Sequence, residues 1–235
     1  MRINEEIAAD INFPLTPEWP SLTARARGAV RQTAAVQCEY SGTKDNRNFS
    51  KFTLTFKDGS QTQLCLGALD TTPAAWMIWM GEKTREHDLL CSTMSHEMRV
   101  SEEKNEWVVK SAAGTLRLTK TNPSLTLCTN AGLQSWQSCG LDLFVGDVPM
   151  SFAFFKHADG LGCSFDMGEC KYIFGGGEQF GGTNLRGRLY DVMNSDALGV
   201  NGHLRYQSTP FFLTDTGLSF AMLQCEPGRI DFGSR

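Results

Sequence analysis

The stretch Lys51–Leu69, KFTLTFKDGSQTQLCLGAL, indicates the class of fold. It consists of two runs in which apolar and polar residues alternate, and alternation with a period of two is typical of a half-buried strand. An Asp-Gly pair, Asp58-Gly59, separates the two runs, and this pair accepts the positive φ angles of a tight hairpin turn. The stretch therefore predicts two antiparallel strands joined at Asp58-Gly59.

Similar runs continue along the chain. In TLRLTK the side chains of Leu116 and Leu118 point to one face of a predicted strand, and the polar residues between them point to the other. Helical evidence is limited to Thr16–Gln32, where prolines allow at most one or two turns. Many short strands with few short helices predict an all-β protein, an antiparallel β-sandwich. Without a repeat or a low-complexity linker, residues 1–235 are predicted to form a single domain.

Composition excludes several classes of function. The chain has 235 residues, of which 41% are hydrophobic and 20% charged, and its formal net charge is -4. It has no surplus of basic residues to neutralise phosphates, which argues against a nucleic-acid partner. No apolar run approaches the ~18 residues of a membrane-spanning helix, and the N-terminus lacks the apolar region of a signal peptide. The sequence therefore predicts a cytoplasmic protein that binds neither a membrane nor nucleic acid.

Cysteine and histidine spacing gives no support for a metal site. None of the eight cysteines forms a CxxC pair, and none of the four histidines has another three or four residues away. We therefore predict buried free thiols, no metal and no cofactor. Trp76 and Trp79 stand three residues apart, which does not place both on one face of a strand, so core packing is predicted for at least one of them.

A glycine-rich stretch, Ile173–Leu213, raises the question of a binding site. Counted from Gly175, the sixth position is Phe180, so the GxGxxG pattern of a dinucleotide loop fails, and a phosphate-binding loop is rejected. The nearby carboxylates could supply glycoside chemistry, which needs two of them across the scissile bond. Sequence alone does not place any two at that separation, and Asp215, within TDTG, is predicted to be a turn residue. These carboxylates are Glu178, Asp191, Asp196 and Asp215.

Five short segments in this part of the chain follow one another in the order and at the spacing found in a known family. With them, about the last quarter of the chain resembles the N-terminal domain of glycoside hydrolase family 31, which contains α-glucosidases, α-xylosidases and related transglycosylases. The segments are Phe174–Glu178, Arg186-Gly187, Asn194–Asp196, Tyr206 with Pro210-Phe211, and Asp231–Ser234.

The resemblance implies a β-sandwich of the galactose-mutarotase-like kind, the supersandwich type. It also implies that a (β/α)8 barrel follows Arg235 and carries both catalytic aspartates of a retaining α-glycosidase. No residue of this chain is then catalytic. The partners implied are the barrel of the same parent protein and an oligosaccharide or α-glycoside substrate. The chain alone is predicted to be inactive, whereas its parent hydrolyses O-glycosyl bonds.

The resemblance also assigns roles to individual residues. Asp196 matches a loop aspartate that contacts substrate hydroxyls, and a carboxylate suits this task because it accepts from two hydroxyls at once. Asn194 and Arg186 are predicted to bind substrate beside it, with Arg186 also free to pair with a carboxylate of the loop. Glu178 is predicted to support the loop by accepting backbone N–H bonds. Gly175 and Gly177 are predicted to let the backbone bend where a strand leaves the sandwich.

Three alternatives remain open on the sequence. The chain could be a stand-alone carbohydrate-binding module that binds maltose or isomaltose. It could be an aldose-epimerase-like sandwich, for which His203 and Glu178 are the nearby acid and base pair. It could also be a structural partner of a separately encoded or cleaved barrel chain.

Overall fold

The computed structural model describes residues 33–44, 49–69, 75–81, 98–128, 136–137, 141–145, 148–157, 160–166, 168–178, 182–192, 207–222 and 228–233. All regular elements in these ranges are β-strands, and every strand pair is antiparallel. The described residues form two compact units, here called the first unit (33–166) and the second unit (168–233). The candidate helical stretch Thr16–Gln32 lies outside the described residues.

The first unit is a sandwich of two sheets. One sheet has the order β13-β12-β1-β2-β3-β4 and the other the order β5-β6-β7-β8-β9, with β10 and β11 forming a separate hairpin. The strands are β1 (Thr33–Lys44), β2 (Phe49–Phe56), β3 (Gln61–Leu69), β4 (Ala75–Met80), β5 (Arg99–Glu102), β6 (Glu106–Ser111), β7 (Gly114–Thr119), β8 (Leu125–Cys128), β9 (Trp136–Gln137), β10 (Leu141–Val145), β11 (Val148–Phe152), β12 (Phe154–His157) and β13 (Gly160–Cys163).

A hydrophobic core joins the two sheets of the first unit. Fully buried side chains come from β2 and β3 in one sheet and from β6, β7 and β8 in the other, and apolar faces that meet in this way hold a sandwich together. The predicted all-β sandwich is therefore confirmed. The central members of the core are Phe52, Leu54, Leu64, Leu66, Val109, Leu116, Leu118 and Leu125.

The structure of the first unit agrees with the predictions made from local sequence patterns. The hairpin at Asp58-Gly59 joins β2 and β3 in the predicted place, with Gly59 at φ +81°. Leu116 and Leu118 are fully buried, while the polar residues between and beside them are half-buried, as the alternation predicts. Trp76 packs against the core of this unit, and Trp79 stands edge-on against the ring of Phe49 at 4.3 Å.

Three of the five described cysteines follow the prediction of burial, whereas Cys163 is half-buried and Cys128 is exposed. The five described cysteines are free thiols, and Cys38, Cys65 and Cys170 are buried. Burial raises the pKa of the Cys38 thiol to about 12. Cys128, however, is exposed. It is the neighbour of Leu127, which packs on the core, so the alternation of β8 turns the thiol outward although the run LTLC is apolar.

The second unit contains two small sheets with a core of their own. A three-stranded sheet has the order β14-β16-β17, and a two-stranded sheet pairs β15 with β18. Its strands are β14 (Ile173–Glu178), β15 (Leu189–Val192), β16 (Gln207–Thr214), β17 (Ser219–Ala221) and β18 (Gly228–Asp231). Its buried core consists of Cys170, Ile173, Leu185, Tyr190, Val192, Phe212 and Phe232.

Candidate functional site

The glycine-rich segment forms the second half of β14 and is paired with β16. Gly175, Gly176 and Gly177 all have positive φ angles, of +120°, +86° and +78°. The register with β16 shifts between Gly175, which faces Phe212, and Gly176, which faces Thr209. Two residues of β16 therefore bulge out opposite this point, and a bulge bends the strand that carries it and increases the local twist.

Side chains larger than hydrogen do not fit in this segment. A Cβ atom built on Gly175 would overlap the carbonyl oxygen of Phe211. At Gly177 it would lie 2.6 Å from both the Gln207 carbonyl oxygen and the Thr209 nitrogen. Close approach of two backbones together with positive φ is a requirement that only glycine meets without strain. The glycines thus shape the strand rather than cradle a phosphate.

Tyr190 ties three strands together from inside the second unit. Its side chain is fully buried and its ring stands edge-on to Phe212, with ring centroids 5.1 Å apart. The hydroxyl donates to the carbonyl oxygen of Gly176 on β14 and lies 2.7 Å from Ser208 Oγ on β16. Since Tyr190 belongs to β15, this one hydroxyl links β15 with β14 and β16.

The segment before β15, residues 182–188, is fixed by Asn184. Its Oδ1 accepts hydrogen bonds from the backbone nitrogens of Ile173 and Arg186, each at 3.0 Å, and its Nδ2 donates to the Lys171 carbonyl oxygen at 3.2 Å. The backbone nitrogen of Leu185 also donates to the Ile173 carbonyl oxygen at 2.8 Å. The amide side chain thereby replaces backbone partners that an irregular loop lacks.

Arg186 lies in this loop and is exposed. Its Nη1 donates to the carbonyl oxygen of Phe232 at 2.9 Å, and the backbone nitrogen of Gly187 donates to the same oxygen at 2.9 Å. A guanidinium has five N–H donors, so this contact occupies one of them. The residue anchors the loop to the end of β18, and its predicted contact with substrate stays a prediction.

The remaining predicted residues of the site are distributed as follows. Glu178 is exposed at the end of β14, opposite Gln207 in the register. Asn194 and Asp196, with His203 of the epimerase alternative, lie outside the described residues. The structure does describe the strands on both sides of them, β15 and β16, and Tyr190 connects these two strands. Substrate roles for Asn194 and Asp196 and the supporting role of Glu178 stay predictions.

Asp215 has a structural environment, as its sequence context predicts. It lies in the turn between β16 and β17, and its carboxylate accepts from the backbone nitrogen of Lys171 at 3.2 Å. Partial desolvation raises the pKa of this carboxyl, but hydrogen bonds from the Cys170 thiol and the Lys171 backbone outweigh it and hold the pKa below its ordinary value. The charge of Asp215 therefore serves to fix the start of β14 to this turn.

One face of the β14-β16-β17 sheet is apolar and exposed. Phe174 faces Leu213 across the two strands, and Tyr172 and Phe211 lie two residues away from them on the same side. These four side chains are between 42% and 50% exposed, and the rings of Tyr172 and Phe174 are nearly parallel at 6.1 Å. Their strand neighbours Ile173 and Phe212 point into the core. We call Tyr172, Phe174, Phe211 and Leu213 the apolar face.

Sequence reasoning missed Asn184, Tyr190 and the apolar face. Asn184 directly precedes the Leu-Arg-Gly segment, and its position before a turn is a signal for side-chain to backbone hydrogen bonding. Tyr190 lies in the short run of β15, and its position there is typical of a buried strand residue. This pattern does not predict the hydrogen-bond partners of its hydroxyl. Within the described ranges, no group of three His, Cys, Asp or Glu side chains is placed to hold a metal ion. Nor does any helix there have the length and apolar character needed to cross a membrane.

Comparison with known proteins places these features in a family. The model of the glycosyl hydrolase 31 N-terminal galactose mutarotase-like domain matches residues 30–232. A glycoside hydrolase family 31 dextranase from Flavobacterium johnsoniae, complexed with glucose, is similar in structure with a TM-score of 0.57 and 20% identity, over 87% of this chain and 24% of the dextranase. A mutant of that dextranase complexed with isomaltotriose matches equally well.

A cycloalternan-forming enzyme from Listeria monocytogenes, in complex with a pentasaccharide substrate, is also similar, with a TM-score of 0.54 and 15% identity, over 80% of this chain and 17% of the enzyme. At these identities the likeness concerns the fold. No protein of curated function matches the sequence. The chain spans about a quarter or less of the length of these two solved enzymes.

Proposed function

Because the chain belongs to the family of glycosyl hydrolase 31 N-terminal galactose mutarotase-like domains, we propose that it is part of a retaining α-glycosidase acting on α-glucosides. In this proposal the chain supplies one wall of the sugar pocket, and a (β/α)8 barrel of the same parent protein supplies the catalytic carboxylates. The exposed apolar face is the observation that favours a partner domain such as the barrel. The anchored strands that flank residues 193–206 are the observation that favours the role of a pocket wall.

The single observation that carries the pocket role is the link made by Tyr190. It connects β15, which leads into residues 193–206, with β16, which follows them. Asn184 and Arg186 fix the loop on the other side of β15. A segment that presents a side chain to a substrate needs both ends held on rigid elements, since small displacements of a binding group reduce catalysis strongly. This geometry supports a positioned loop that carries Asn194 and Asp196.

Asp196 is proposed to accept hydrogen bonds from two sugar hydroxyls next to the bond that is cleaved. Hydrogen bonds to a charged acceptor are roughly twice as strong as those between neutral groups. Asn194 and the remaining N–H donors of Arg186 are proposed to complete this wall. The reaction itself is a double displacement through a glycosyl-enzyme intermediate, and both reacting carboxyl groups belong to the barrel. The chain alone therefore lacks the nucleophile and the acid/base.

The apolar face is proposed to be the surface that packs against the barrel. A group of four neighbouring large apolar side chains, all exposed, is unusual on a free surface and commonly marks an interface. The chain also spans only 24% of the similar dextranase, which leaves the larger part of such a protein as the natural cover. In the parent, the double substitution Phe174→Ser with Leu213→Ser should loosen this contact and increase proteolysis between the domains. Leu161→Ser, at 38% exposure on the first unit, is the matched control, and equal proteolysis of both variants would argue against the assignment.

The experiment that tests the pocket role is a kinetic comparison in the full-length parent. Asp196→Asn should lower kcat/KM for an aryl α-glucoside by about 10²-fold, the loss expected when an oriented charged contact to the reacting sugar is removed. Glu103→Gln, an exposed carboxylate of the first unit, is the control and should retain the parent's value. An Asp196→Asn variant with unchanged kcat/KM would contradict the role that we propose for this residue.

A further inference from the structure

A groove in the first unit combines an aromatic floor with a polar rim. It has a volume of about 640 Å³ and lies where β1 meets the ends of β6 and β7. Backbone hydrogen bonds fix this junction, because the Cys38 nitrogen donates to the Lys120 carbonyl oxygen at 2.8 Å and the Asn122 nitrogen donates to the Val36 carbonyl oxygen at 3.0 Å. The lining of the groove includes the side chains of Gln37, Glu39, Tyr40, Glu102, Trp107 and Lys120.

The floor is rigid. The indole nitrogen of Trp107 donates to the Cys38 carbonyl oxygen at 3.2 Å, and its ring packs against Phe52 and Tyr40 with centroids 6.3 and 5.7 Å away. Tyr40 also contacts Phe52, at 5.3 Å, yet stays 36% exposed. Aromatic rings held in this way offer a large contact area at a low entropic cost, which is why they are common anchors in binding sites.

Tyr40 lies at the boundary between the core and the groove. It stands directly opposite the buried Phe52 in the register and two residues after the buried Cys38, so it lies on the core side of β1, whereas Glu39 lies on the other side. The ring of Tyr40 is nevertheless 36% exposed, and both residues line the groove. The register with β2 shifts just after Tyr40, between Tyr40 and Gly42, and bulges are frequent next to binding sites.

The rim consists of hydrogen-bonding groups arranged in pairs. Gln37 Nε2 donates to Glu39 Oε1 at 2.8 Å, and Lys120 Nζ donates to Glu102 Oε1 at 2.6 Å and to the Glu103 carbonyl oxygen at 2.7 Å. Lys120 also lies over the ring of Trp107, 4.7 Å from its centroid. An ionised carboxylate has about four acceptor positions, so Glu39 and Glu102 each retain acceptors for hydroxyl donors.

We propose that this groove binds a neutral oligosaccharide of the α-glucan class. Two carboxylates and one ammonium group line the groove, and that ammonium is already paired with Glu102, so the groove disfavours phosphates and other anions. A sugar ring offers an apolar C–H face that fits the exposed ring of Tyr40, and hydroxyl donors that fit the carboxylates. The choice of α-glucan rests on the proposed function, whereas the groove and its preference for a neutral polyol rest on geometry and charge.

The test is binding of isomaltotriose and maltotriose to the 235-residue chain, measured by calorimetry and by chemical-shift changes in the labelled protein. We expect shifts concentrated at Gln37–Tyr40, Glu102 and Lys120. Tyr40→Ala should weaken binding by at least about tenfold, as for other aromatic anchors, whereas Tyr40→Phe, which keeps the ring, should stay within about threefold of the unmodified chain. Glu39→Ala, an exposed change that leaves the packing intact, should also weaken binding.

A control and a competing variant make the outcome specific. Leu161→Ala removes an equally exposed apolar side chain from the same unit and should leave the affinity of the groove unchanged. Asp196→Asn removes the proposed pocket carboxylate and reports on sugar binding at residues 193–206 instead. Absence of sugar binding, or unchanged affinity of both Tyr40→Ala and Glu39→Ala, would overturn the proposal. Loss of binding in Asp196→Asn alone would assign the sugar to residues 193–206, which would support the pocket role and reject the groove. The parent's kinetics test the proposed function independently of this result.

Discussion

At the scale of single residues, the glycines of β14 show how local conformation and close packing act together. Gly175 combines a φ of +120° with backbone contact to Phe211. Gly217, in the turn after β16, has a comparable φ of +84° but open space around its Cα. The two positions therefore separate the cost of positive φ from the cost of a steric clash.

We predict that Gly175→Ala destabilises the protein much more than Gly217→Ala. At Gly217 only the strain of positive φ applies, roughly 1–2 kcal/mol. At Gly175 the strand pair must also separate, and the total should exceed about 3 kcal/mol, which is exceptional for a single methyl group. Urea-induced unfolding of both variants measures the difference. Equal midpoints would mean that the two strands can separate without loss of stability. They would also mean that the bulge does not depend on this glycine.

Tyr190 provides a second prediction at this scale. Removing its buried hydroxyl in Tyr190→Phe takes a donor from Gly176 and a partner from Ser208, and should lower the free energy of unfolding by about 1–3 kcal/mol. Tyr172→Phe removes a hydroxyl from a tyrosine that is 50% exposed and should change it by less than about 0.5 kcal/mol. Thermal or urea unfolding of the two variants gives the comparison. A Tyr190→Phe variant as stable as the Tyr172→Phe variant would show that the link between β15 and its neighbours is dispensable.

At the scale of elements, the sequence predicted what local rules determine. The hairpin at Asp58-Gly59, the buried leucines of β7 and the turn at Asp215 all follow from period and turn chemistry within a few residues. The pairing of β1 with β12, more than a hundred residues away, and the β14-β16-β17 order follow from tertiary contacts that no local pattern encodes. The same is true of Tyr190, whose hydroxyl partners lie 14 and 18 residues away. Cys128 shows the converse, since its apolar run suggested burial but the register of β8 turned it outward.

The β2–β3 hairpin carries a prediction on pH dependence. Hydrogen bonding to Lys156, and then to Ser60, lowers the pKa of Asp58 from 3.8 to about 2. Because the folded-state pKa is depressed, the stabilisation is complete above the unfolded value of 3.8 and is lost as the pH falls through about 2. The stability difference between the unmodified chain and Asp58→Asn should therefore shrink between about pH 5 and about pH 2.

Urea midpoints of both proteins across this range measure the effect. Lys156→Gln removes the first cause of the shift and should abolish most of the same pH-dependent difference. A difference between the unmodified chain and Asp58→Asn that stays constant with pH would show that Asp58 titrates alike in the folded and unfolded states.

At the scale of the whole molecule, the family assignment and the fold agree with what the motif order predicted. Phe174–Glu178 forms β14, Arg186-Gly187 the anchored loop, and Pro210-Phe211 the bulged part of β16. The resemblance located the segment, but the physical reasons for its residues became visible only in the structure. Glycines are required by backbone contact, the arginine holds the end of β18, and the exposed apolar face is the surface that we propose packs against a further domain.

The central claim is that this chain forms a pocket wall whose catalytic carboxylates lie on a partner domain. The most direct measurement introduces a protease site after Arg235 of the full-length parent, cleaves the native protein, and assays aryl α-glucoside hydrolysis before and after the two parts are separated. We predict that the cleaved complex stays active, that the separated chain shows no turnover, and that the separated remainder loses most of its kcat/KM until the chain is added back. Turnover by the separated chain, or full activity of the remainder without it, would contradict the account.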